Sequence, residues 1–280
     1  MSSIIDRRYI RNENGDVHLS NAGQSQRLPG FAATDWKPHH TIGSVPYLNA
    51  RPLHWTISEP VAFLEPSQLV LELAAGRLQA ALVPVVEVLE SADAYHIVDG
   101  VAIGSLSSVY SVVLVHSLPI VRLQTVVLDP ASKTSNLLIR VLLEKYYRIK
   151  PRYVSPDEPA DGQLIIGDPA IAYRQAHPDE RYFDLAQSWH AHTGLPSVFA
   201  VWAVRRDTPD TEGLAKNLRK AAKAGLAARR EIAQNHFEYR YLTENLYYHL
   251  GNPQKKALAA FASDLVEIGA LAKNPELSYI

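Results

Sequence analysis

The chain contains no cysteine among its 280 residues, and its formal net charge is only −1. Disulfides, thiolate metal sites and cysteine nucleophiles are therefore excluded. No global positive field attracts nucleic acid or anionic lipid. No apolar stretch reaches the roughly 18 residues of a membrane span, and the opening segment MSSIIDRRYIRNENGDVHLSNAGQSQRL is too polar for a signal peptide. We therefore expect a cytoplasmic protein with no nucleic-acid or membrane partner.

Signatures of several common active sites are also missing. There is no Gly-rich phosphate loop of the Walker type and no G-x-S-x-G nucleophile elbow, so a hydrolase triad is unsupported. His190 and His192 stand two positions apart, and on a helix that spacing points the two rings to different sides. No His-Glu-His arrangement lies near them. We therefore expect no metal site.

From Thr41 onward, segments typical of strands alternate with segments typical of helices. Apolar runs such as SVVLV and QTVVLD suit strands of a sheet that is covered on both faces. Helices are predicted at PSQLVLELAAG, at PASKTSNLLIRVLLEKYY and along the chain from Thr211, including EYRYLTENLYYHL. This alternation predicts an α/β fold with largely parallel sheets. Residues 1–40 are interpreted as a polar N-terminal extension with a short hairpin at NENGD.

Polar residues collect at the ends of the predicted strands, at 44–49, 105–111, 129–135, 167–168 and 193–196. In open α/β sheets, ligands bind outside the carboxyl ends of the strands. Strand ends from two sheets that face one cleft predict a bilobal α/β protein that binds a small anionic ligand.

The segment DPASKTSN follows a predicted strand and opens a helix. Backbone N–H groups at Lys133, Thr134 and Ser135, together with the nearby hydroxyls, predict a cradle for an anion or a carboxylate. Plain N-capping by Ser132, with Thr134 and Ser135 facing water, explains the same residues. Both interpretations stay open on the residues alone.

Other polar positions also have two interpretations each. Asn49 in VPYLNARPL is either a turn residue or an amide that faces a ligand, and Ser111 is either a strand start or a hydroxyl in the cleft. Glu87 lies either on a charged helix face or in the cleft. Arg51 either meets a substrate carboxylate or points to solvent. The stretch TGLP predicts a helix exit with Gly194 at the C-cap position.

Ordered motifs along the chain resemble those of the chorismate dehydratase family. Its members are the first enzymes of the futalosine route to menaquinone. The motifs are YLNARPL, LAAGRLQAALVPVVEVL, VAIGSLSSVYSVVLV, LDPASKTSNLLIRVLL, LIIGDPAI and DLAQSWHAHTGLPSVFAVWA. The matching stretches run over nearly the whole chain after Thr41, and the last motif is the most specific.

This resemblance implies a two-lobed periplasmic-binding-protein-like fold of type II, with a ligand cleft between the lobes, used as an enzyme in the cytoplasm. The chain is expected to cross between the lobes twice, just after SVVLV and near SVFAVW. Lobe 1 is then expected at 41–115 plus 201–280, and lobe 2 at 116–200. The resemblance implies no cofactor.

The family reaction removes water from chorismate and gives 3-[(1-carboxyvinyl)oxy]benzoate. By resemblance, the residues linked to catalysis are the Asn of YLN and the Ser of the V-x-S motif, which are Asn49 and Ser111 here. The expected substrate-binding residues are Ser44, Arg51, Ser132, Lys133, Thr134, Ser135, Asp168, Thr193, Gly194 and Leu195. The matched motifs contain no obvious His or Glu base, which is consistent with a substrate-assisted route in which the enolpyruvyl carboxylate takes the proton.

The chain departs from the family pattern in three places, and two rival functions stay open. It has LSS (106–108) where the family has DGP, Lys133 where the family has Arg, and Ser197 where the family has Phe. Lys in place of Arg exchanges a bidentate fork for a point charge. One rival is a non-catalytic cytosolic paralogue that binds a small anion. The other is the sister 1,4-dihydroxy-6-naphthoate synthase, whose opening motif contains a Cys that this chain lacks.

Overall fold

The computed structural model describes residues 8–11, 17–20 and 42–280. Strand β1 (Arg8–Arg11) pairs antiparallel with strand β2 (Val17–Ser20), and the segment NENGD joins them. The two strands of the predicted hairpin are therefore confirmed. The turn between them, and the remainder of the predicted extension, lie outside the described residues.

Ten further strands and ten α-helices follow within residues 42–280. The strands are β3 (Ile42–Ser44), β4 (Val61–Phe63), β5 (Ala80–Pro84), β6 (Tyr95–Ser105), β7 (Val112–His116), β8 (Thr125–Val127), β9 (Arg152–Val154), β10 (Gly162–Ile166), β11 (Tyr182–Asp184) and β12 (Ser197–Arg205). The helices are α1 (Arg51–His54), α2 (Pro66–Ala74), α3 (Val85–Glu90), α4 (Lys133–Arg140), α5 (Gly167–Ala176), α6 (Leu185–Thr193), α7 (Thr211–Ala227), α8 (Arg229–Ile232), α9 (His236–Arg240) and α10 (Asn252–Glu267). Leu48–Ala50 forms a 3₁₀ turn, and the π-helical segments Val141–Tyr146 and Tyr241–Asn245 continue α4 and α9.

These ten strands form two five-stranded sheets. The first sheet has the order β4-β3-β5-β12-β6, and the second has the order β11-β7-β10-β8-β9. In each sheet three neighbouring strands run parallel and two further strands extend the sheet by antiparallel pairing. The predicted α/β class is confirmed, but the prediction of largely parallel sheets is wrong. Two consecutive strands can pair in parallel only when the chain crosses over within one sheet. The chain enters β7 and β12 from the other sheet in each case, and both strands pair antiparallel.

The chain changes sheets twice. It leaves the first sheet after β6 and enters the second at β7, through residues 106–111. It returns between α6 and β12, through residues 194–196. The lobe boundaries stay a prediction, but β7 pairs inside the second sheet, so sheet membership favours a first crossing before SVVLV. Both connections contain predicted site residues.

One apolar core spans both sheets, with Trp189, Trp202 and Tyr241 among its largest fully buried side chains. A buried polar contact adds a second link: Asp264 of α10 accepts hydrogen bonds from Lys145 Nζ at 2.6 Å and from the Tyr146 hydroxyl at 2.8 Å. Both donors belong to the π-helical segment that follows α4. Among the described helices, none combines the length and apolarity that crossing a membrane requires.

The predicted continuous helix over EYRYLTENLYYHL is wrong in its second half. Helical structure ends at Asn245, and Tyr247 then forms an antiparallel bridge with Gly104 of β6. Buried and more exposed side chains alternate from Leu246 to Leu250. This period of two is typical of a strand. Pairing with β6 therefore overrides the local helical preference.

Candidate active site

Asn49 is presented by the 3₁₀ turn that follows β3. The neighbours Leu48 and Ala50 are buried, and the N–H of Ala50 donates to the carbonyl of Tyr47 at 3.0 Å. The side-chain oxygen Oδ1 of Asn49 is buried and accepts no hydrogen bond from the described residues. A buried acceptor without a donor is costly and uncommon. This oxygen is therefore available to a ligand, and the ligand-facing interpretation of Asn49 stays a prediction.

The Asn49 turn is held in place from two sides. The hydroxyl of Tyr248 donates to the Asn49 carbonyl at 2.9 Å. Helix α7 contacts the backbone of α1 at Gly225, where an added Cβ atom would lie 1.9 Å from the carbonyl oxygen of Pro52. Because only glycine permits so close an approach of two backbones, α7 fixes the position of α1 and of the turn before it.

Ser111 ends the connection from β6 to β7, in a turn that two side chains hold. The Asp184 carboxylate accepts hydrogen bonds from the N–H groups of Val109, at 2.9 Å, and of Tyr110, at 3.2 Å. Arg174 donates to the Tyr110 carbonyl at 2.9 Å, and its guanidinium lies 3.8 Å from the centroid of that ring. Tyr110 has a φ of 61°, a conformation that a residue with a side chain rarely adopts. Such strain persists only where contacts over-determine it.

The side chain of Ser111 is buried, with 2% exposure. Its Oγ lies 2.7 Å from the hydroxyl oxygen of Tyr241. The Ser111 carbonyl accepts a hydrogen bond from the N–H of Gly167, at 2.7 Å, where α5 begins. Ser111 is thus the residue before β7, and it carries a buried hydroxyl that is paired with Tyr241.

Asp168 joins the two sheets. It lies in the first turn of α5, and its Oδ2 accepts a hydrogen bond from the N–H of Leu48 at 3.4 Å. Its other oxygen, Oδ1, is buried and has no partner among the described residues. Burial raises the pKa of Asp168, and the Leu48 N–H and the charge of Arg51 oppose this shift. The carboxylate therefore has an uncommitted acceptor next to the Asn49 turn.

Asn49, Ser111, Asp168, Tyr241 and Tyr248 form one group, which we call the central cluster. Backbone contacts of neighbouring residues connect its members: Asp168 binds Leu48, and Gly167 binds Ser111. Among the described residues, the cluster contains two unpartnered oxygen acceptors and a buried serine hydroxyl. The two acceptors suit a hydroxyl donor of a ligand, and the positive charge of Arg51, which acts on Asp168, suits an anionic group.

Ser44 and Arg51 lie on either side of Asn49 in the sequence, and they differ in whether their side chains already have partners among the described residues. Ser44 Oγ lies 3.0 Å from His54 Nδ1, so its hydroxyl is already paired. Burial, together with the charge of Arg51, lowers the pKa of His54 to about 4, and the imidazole is neutral at pH 7. Arg51 is partly buried and acts on both His54 and Asp168 through its charge. Arg51 is therefore the better placed of the two for a substrate carboxylate.

The SKTS segment makes contacts within the protein rather than with the central cluster. Ser132 caps α4, with its Oγ accepting from the Ser135 N–H at 3.2 Å, so the predicted N-cap is confirmed. The expectation that Thr134 and Ser135 face water is wrong, because each is 2% exposed. Thr134 Oγ1 is buried and accepts from the Val86 N–H at 3.3 Å. Lys133 pairs with Glu87, at 3.3 Å, and with Glu90. Glu87 accordingly lies on a charged helix face.

The TGLP segment builds the exit from α6. Gly194 occupies the C-cap with a φ of 68°, as predicted, and its N–H donates to the His190 carbonyl at 2.8 Å. The Thr193 hydroxyl donates to the Trp189 carbonyl at 2.7 Å and accepts from the Leu195 N–H at 3.1 Å. These bonds shape the return connection between the sheets. They leave the Thr193 hydroxyl committed to its own helix end.

The two histidines of this segment have separate partners. His190 Nδ1 lies 3.2 Å from the Leu195 carbonyl, and the His192 ring stacks on Tyr146 with centroids 4.8 Å apart. Within residues 8–11, 17–20 and 42–280, no three His, Asp or Glu side chains are grouped to hold a metal ion.

Ser197, one of the departures from the family pattern, lies behind the α6 exit. It lines a cavity of about 20 Å³ together with Thr134 and Trp189. Its hydroxyl is buried without a partner among the described residues. A cavity of this volume holds about one water molecule.

Sequence reasoning missed Tyr241, Tyr248, Asp184 and Arg174. The alternation of apolar residues in LYYHL was a detectable signal for a strand at Tyr248. Asp184 precedes a helical segment and caps it at the Gln187 N–H, at 3.0 Å, which is a common local pattern. Its second role, at Val109 and Tyr110, depends on tertiary contacts that no local pattern contains.

Residues 40–267 match the model of a protein family described as "Menaquinone biosynthesis". The chain belongs to the menaquinone biosynthesis family. A chorismate dehydratase of Thermus thermophilus is 31% identical to it, over 81% of this chain and 95% of the relative. A chorismate dehydratase of Campylobacter jejuni is 29% identical, over 79% of this chain and 95% of the relative.

The fold of this menaquinone biosynthesis family member is similar to that of periplasmic binding proteins. The periplasmic aliphatic sulphonate binding protein of Escherichia coli superposes with a TM-score of 0.54 at 14% sequence identity. The match covers 83% of this chain and 93% of that protein. The predicted periplasmic-binding-protein-like fold is therefore confirmed.

Proposed function

We propose that this chain is a carbon–oxygen lyase that removes water from chorismate and gives 3-[(1-carboxyvinyl)oxy]benzoate in menaquinone biosynthesis. Relatives that carry the name chorismate dehydratase, over about four fifths of the chain, support the reaction. The observation that carries the proposal within the structure is the buried, unpartnered Oδ1 of Asp168, a residue whose other oxygen binds the turn of Asn49 and whose neighbour Gly167 binds Ser111.

Chorismate has the groups that such a site requires. Its C4 hydroxyl is a hydrogen-bond donor, and it carries a ring carboxylate and an enolpyruvyl carboxylate. Loss of the C3 proton and of the C4 hydroxyl makes the ring aromatic. The C3 proton is acidic because the electron pair left behind delocalises toward the ring carboxylate. Stabilising that carboxylate as charge develops is therefore the main electrostatic task.

The central cluster divides this task among its residues. Asp168 Oδ1 accepts the hydrogen of the C4 hydroxyl and orients the C4–O bond. The Asn49 amide group donates to the departing oxygen, and the Ser111 hydroxyl donates to the ring carboxylate. Arg51, whose charge already reaches Asp168, binds the enolpyruvyl carboxylate.

The proton at C3 is taken by the enolpyruvyl carboxylate of the substrate itself. The electron pair of the C3–H bond becomes a ring π bond as the C4–O bond breaks. The hydroxide that leaves C4 then receives the proton from the carboxylate, which gives water and restores the carboxylate.

Lys133 has no part in this proposal, although the family pattern has an Arg there. Its ammonium group is neutralised by Glu87 and Glu90 on α3. The exchange of Arg for Lys therefore leaves the central cluster untouched. Lys133→Ala is a matched control for charge removal, because its surroundings lie outside the cluster.

The deciding experiment incubates the purified protein with chorismate and follows the loss of the diene absorbance, with the product identified by mass. We expect 3-[(1-carboxyvinyl)oxy]benzoate from the wild type and from Lys133→Ala, and little product from Arg51→Ala. Calorimetry with chorismate measures binding separately. Binding without product in the wild type would contradict the enzyme proposal and support a non-catalytic anion-binding protein.

A further inference from the structure

We propose that Tyr241 is a positioning residue for Ser111: its phenol donates a hydrogen bond to Ser111 Oγ, so that the serine proton points to the substrate. This inference rests on the proposed function, in which Ser111 donates to the ring carboxylate. Tyr241 lies 130 positions after Ser111 in the chain, and none of the motifs that carry the family resemblance contains it.

The hydroxyls of Ser111 and Tyr241 are both buried, and they contact each other. Their oxygens lie 2.7 Å apart, and the two residues are 2% and 1% exposed. Between them the two groups carry two protons and share one hydrogen bond, so one proton stays available. In the described part of the chain, neither hydroxyl has a second hydrogen-bond partner.

The chemistry of the two groups decides which proton is free. A phenol, with an ordinary pKa near 10, is a better donor than an alkyl hydroxyl, and the alkyl oxygen is the better acceptor. Burial, the largest cause, and the nearby charge of Asp168 raise the pKa of Tyr241, so the phenol keeps its proton. The donor is therefore Tyr241, and the free proton belongs to Ser111.

Tyr241 is held rigidly enough for this task. It is the first residue of the π-helical segment after α9, and insertions of this kind are frequent at functional sites. Its ring packs parallel to Phe237, which in turn contacts Tyr110 edge-on at 5.3 Å. The same aromatic group thus braces both Tyr241 and the strained turn that carries Ser111.

The test is a double-mutant cycle with Tyr241→Phe, Ser111→Ala and the double variant, assayed on chorismate. We expect Tyr241→Phe to lower kcat about ten- to a hundredfold while KM changes about threefold or less. In the Ser111→Ala background, Tyr241→Phe should change kcat less than about twofold, because the group it positions is gone. Tyr153→Phe removes a partly buried phenol, whose partner is Glu144, and should keep wild-type kcat.

The possible outcomes separate the two proposals. Wild-type kcat in Tyr241→Phe overturns the inference, and so do losses that multiply in the double variant, because Tyr241 then acts independently of Ser111. An inactive wild type overturns the proposed function and the inference with it. If Tyr241→Phe melts far below the wild type, a fluorotyrosine at position 241 replaces it: retained kcat supports hydroxyl donation, and a kcat as low as that of Phe overturns it.

Discussion

The hydroxyl of Tyr248 donates to the backbone carbonyl of Asn49 at 2.9 Å, across 199 positions of the chain. This bond brings a strand-like segment near the C-terminus against the turn at the start of the first sheet. Tyr241, seven residues earlier, makes the equivalent contact with Ser111. One short segment therefore supports both residues that the sequence linked to catalysis.

Replacing Asn49 should separate activity from stability. We expect Asn49→Ala to lower kcat/KM about a hundredfold or more, because a donor to the leaving oxygen is lost. The melting temperature should stay within about 2 °C of the wild type or rise, since the change removes a buried acceptor that has no partner. Parallel activity assays and thermal melts test this. A large drop in melting temperature would show that the amide is structural instead.

Asp168→Asn should make stability less dependent on pH in the acid range. The pKa of this carboxyl is raised above its ordinary 3.8, so the folded state holds the proton more tightly than the unfolded state. Stability therefore falls as pH rises through the window from 3.8 to the raised value. The neutral amide should be more stable than the wild type at pH 7, with the difference vanishing below pH 3.8. Urea unfolding across this range measures it, and kcat/KM should fall roughly tenfold or more.

The contribution of His54 to stability should change with pH in the opposite direction to that of Asp168. The pKa of His54 is lowered from 6.5 to about 4, so between these two pH values the unfolded chain binds a proton that the folded chain does not bind. Stability should be complete above pH 6.5 and fall as pH drops toward 4, by about 3 kcal/mol over the whole window. His54→Gln removes this titration. A wild-type curve that matches the His54→Gln curve between pH 4 and 7 would contradict the assignment.

Gly225→Ala should destabilise the protein although alanine favours helices. Helix propensity alone would add about 1 kcal/mol. The new Cβ would lie 1.9 Å from the Pro52 carbonyl oxygen, and two backbones must then move apart. We expect a net loss of about 1–3 kcal/mol and a shift of the Asn49 turn that lowers activity. Ala224→Ser, at the exposed neighbouring position of α7, is the control and should change stability by about 0.5 kcal/mol or less.

The sequence was sufficient wherever local patterns decide the structure. Ser132 and Gly194 could be assigned as helix caps because capping depends on residues within one turn. Asn49, Ser111 and Asp168 were assigned to one site through the motifs of the family resemblance, and the hydrogen bonds that connect them could not be predicted because they join residues of different sheets. The ion pairs of Lys133 could not be predicted for the same reason, since Glu87 and Glu90 reach its ammonium group only because α3 packs beside α4. The role of Lys133 in substrate binding stays a prediction.

The features that could not be predicted from the sequence depend on pairing between distant parts of the chain. Nothing local in SVVLV shows that β7 runs antiparallel to β10, since that direction follows from the entry of the chain from another sheet. The segment after Asn245 has residues compatible with a helix, and its bridge to Gly104 decides otherwise. Tyr241 and Tyr248 were missed because their partners lie more than a hundred residues away.

The hydrogen bond from Leu48 to Asp168 connects an element of the first sheet with an element of the second. Any displacement of the two sheets that admits a ligand from bulk solvent also pulls this carboxylate away from the turn that carries Asn49. The Asn49 side and the Asp168 side of the proposed site therefore stay together only while this hydrogen bond joins the two elements.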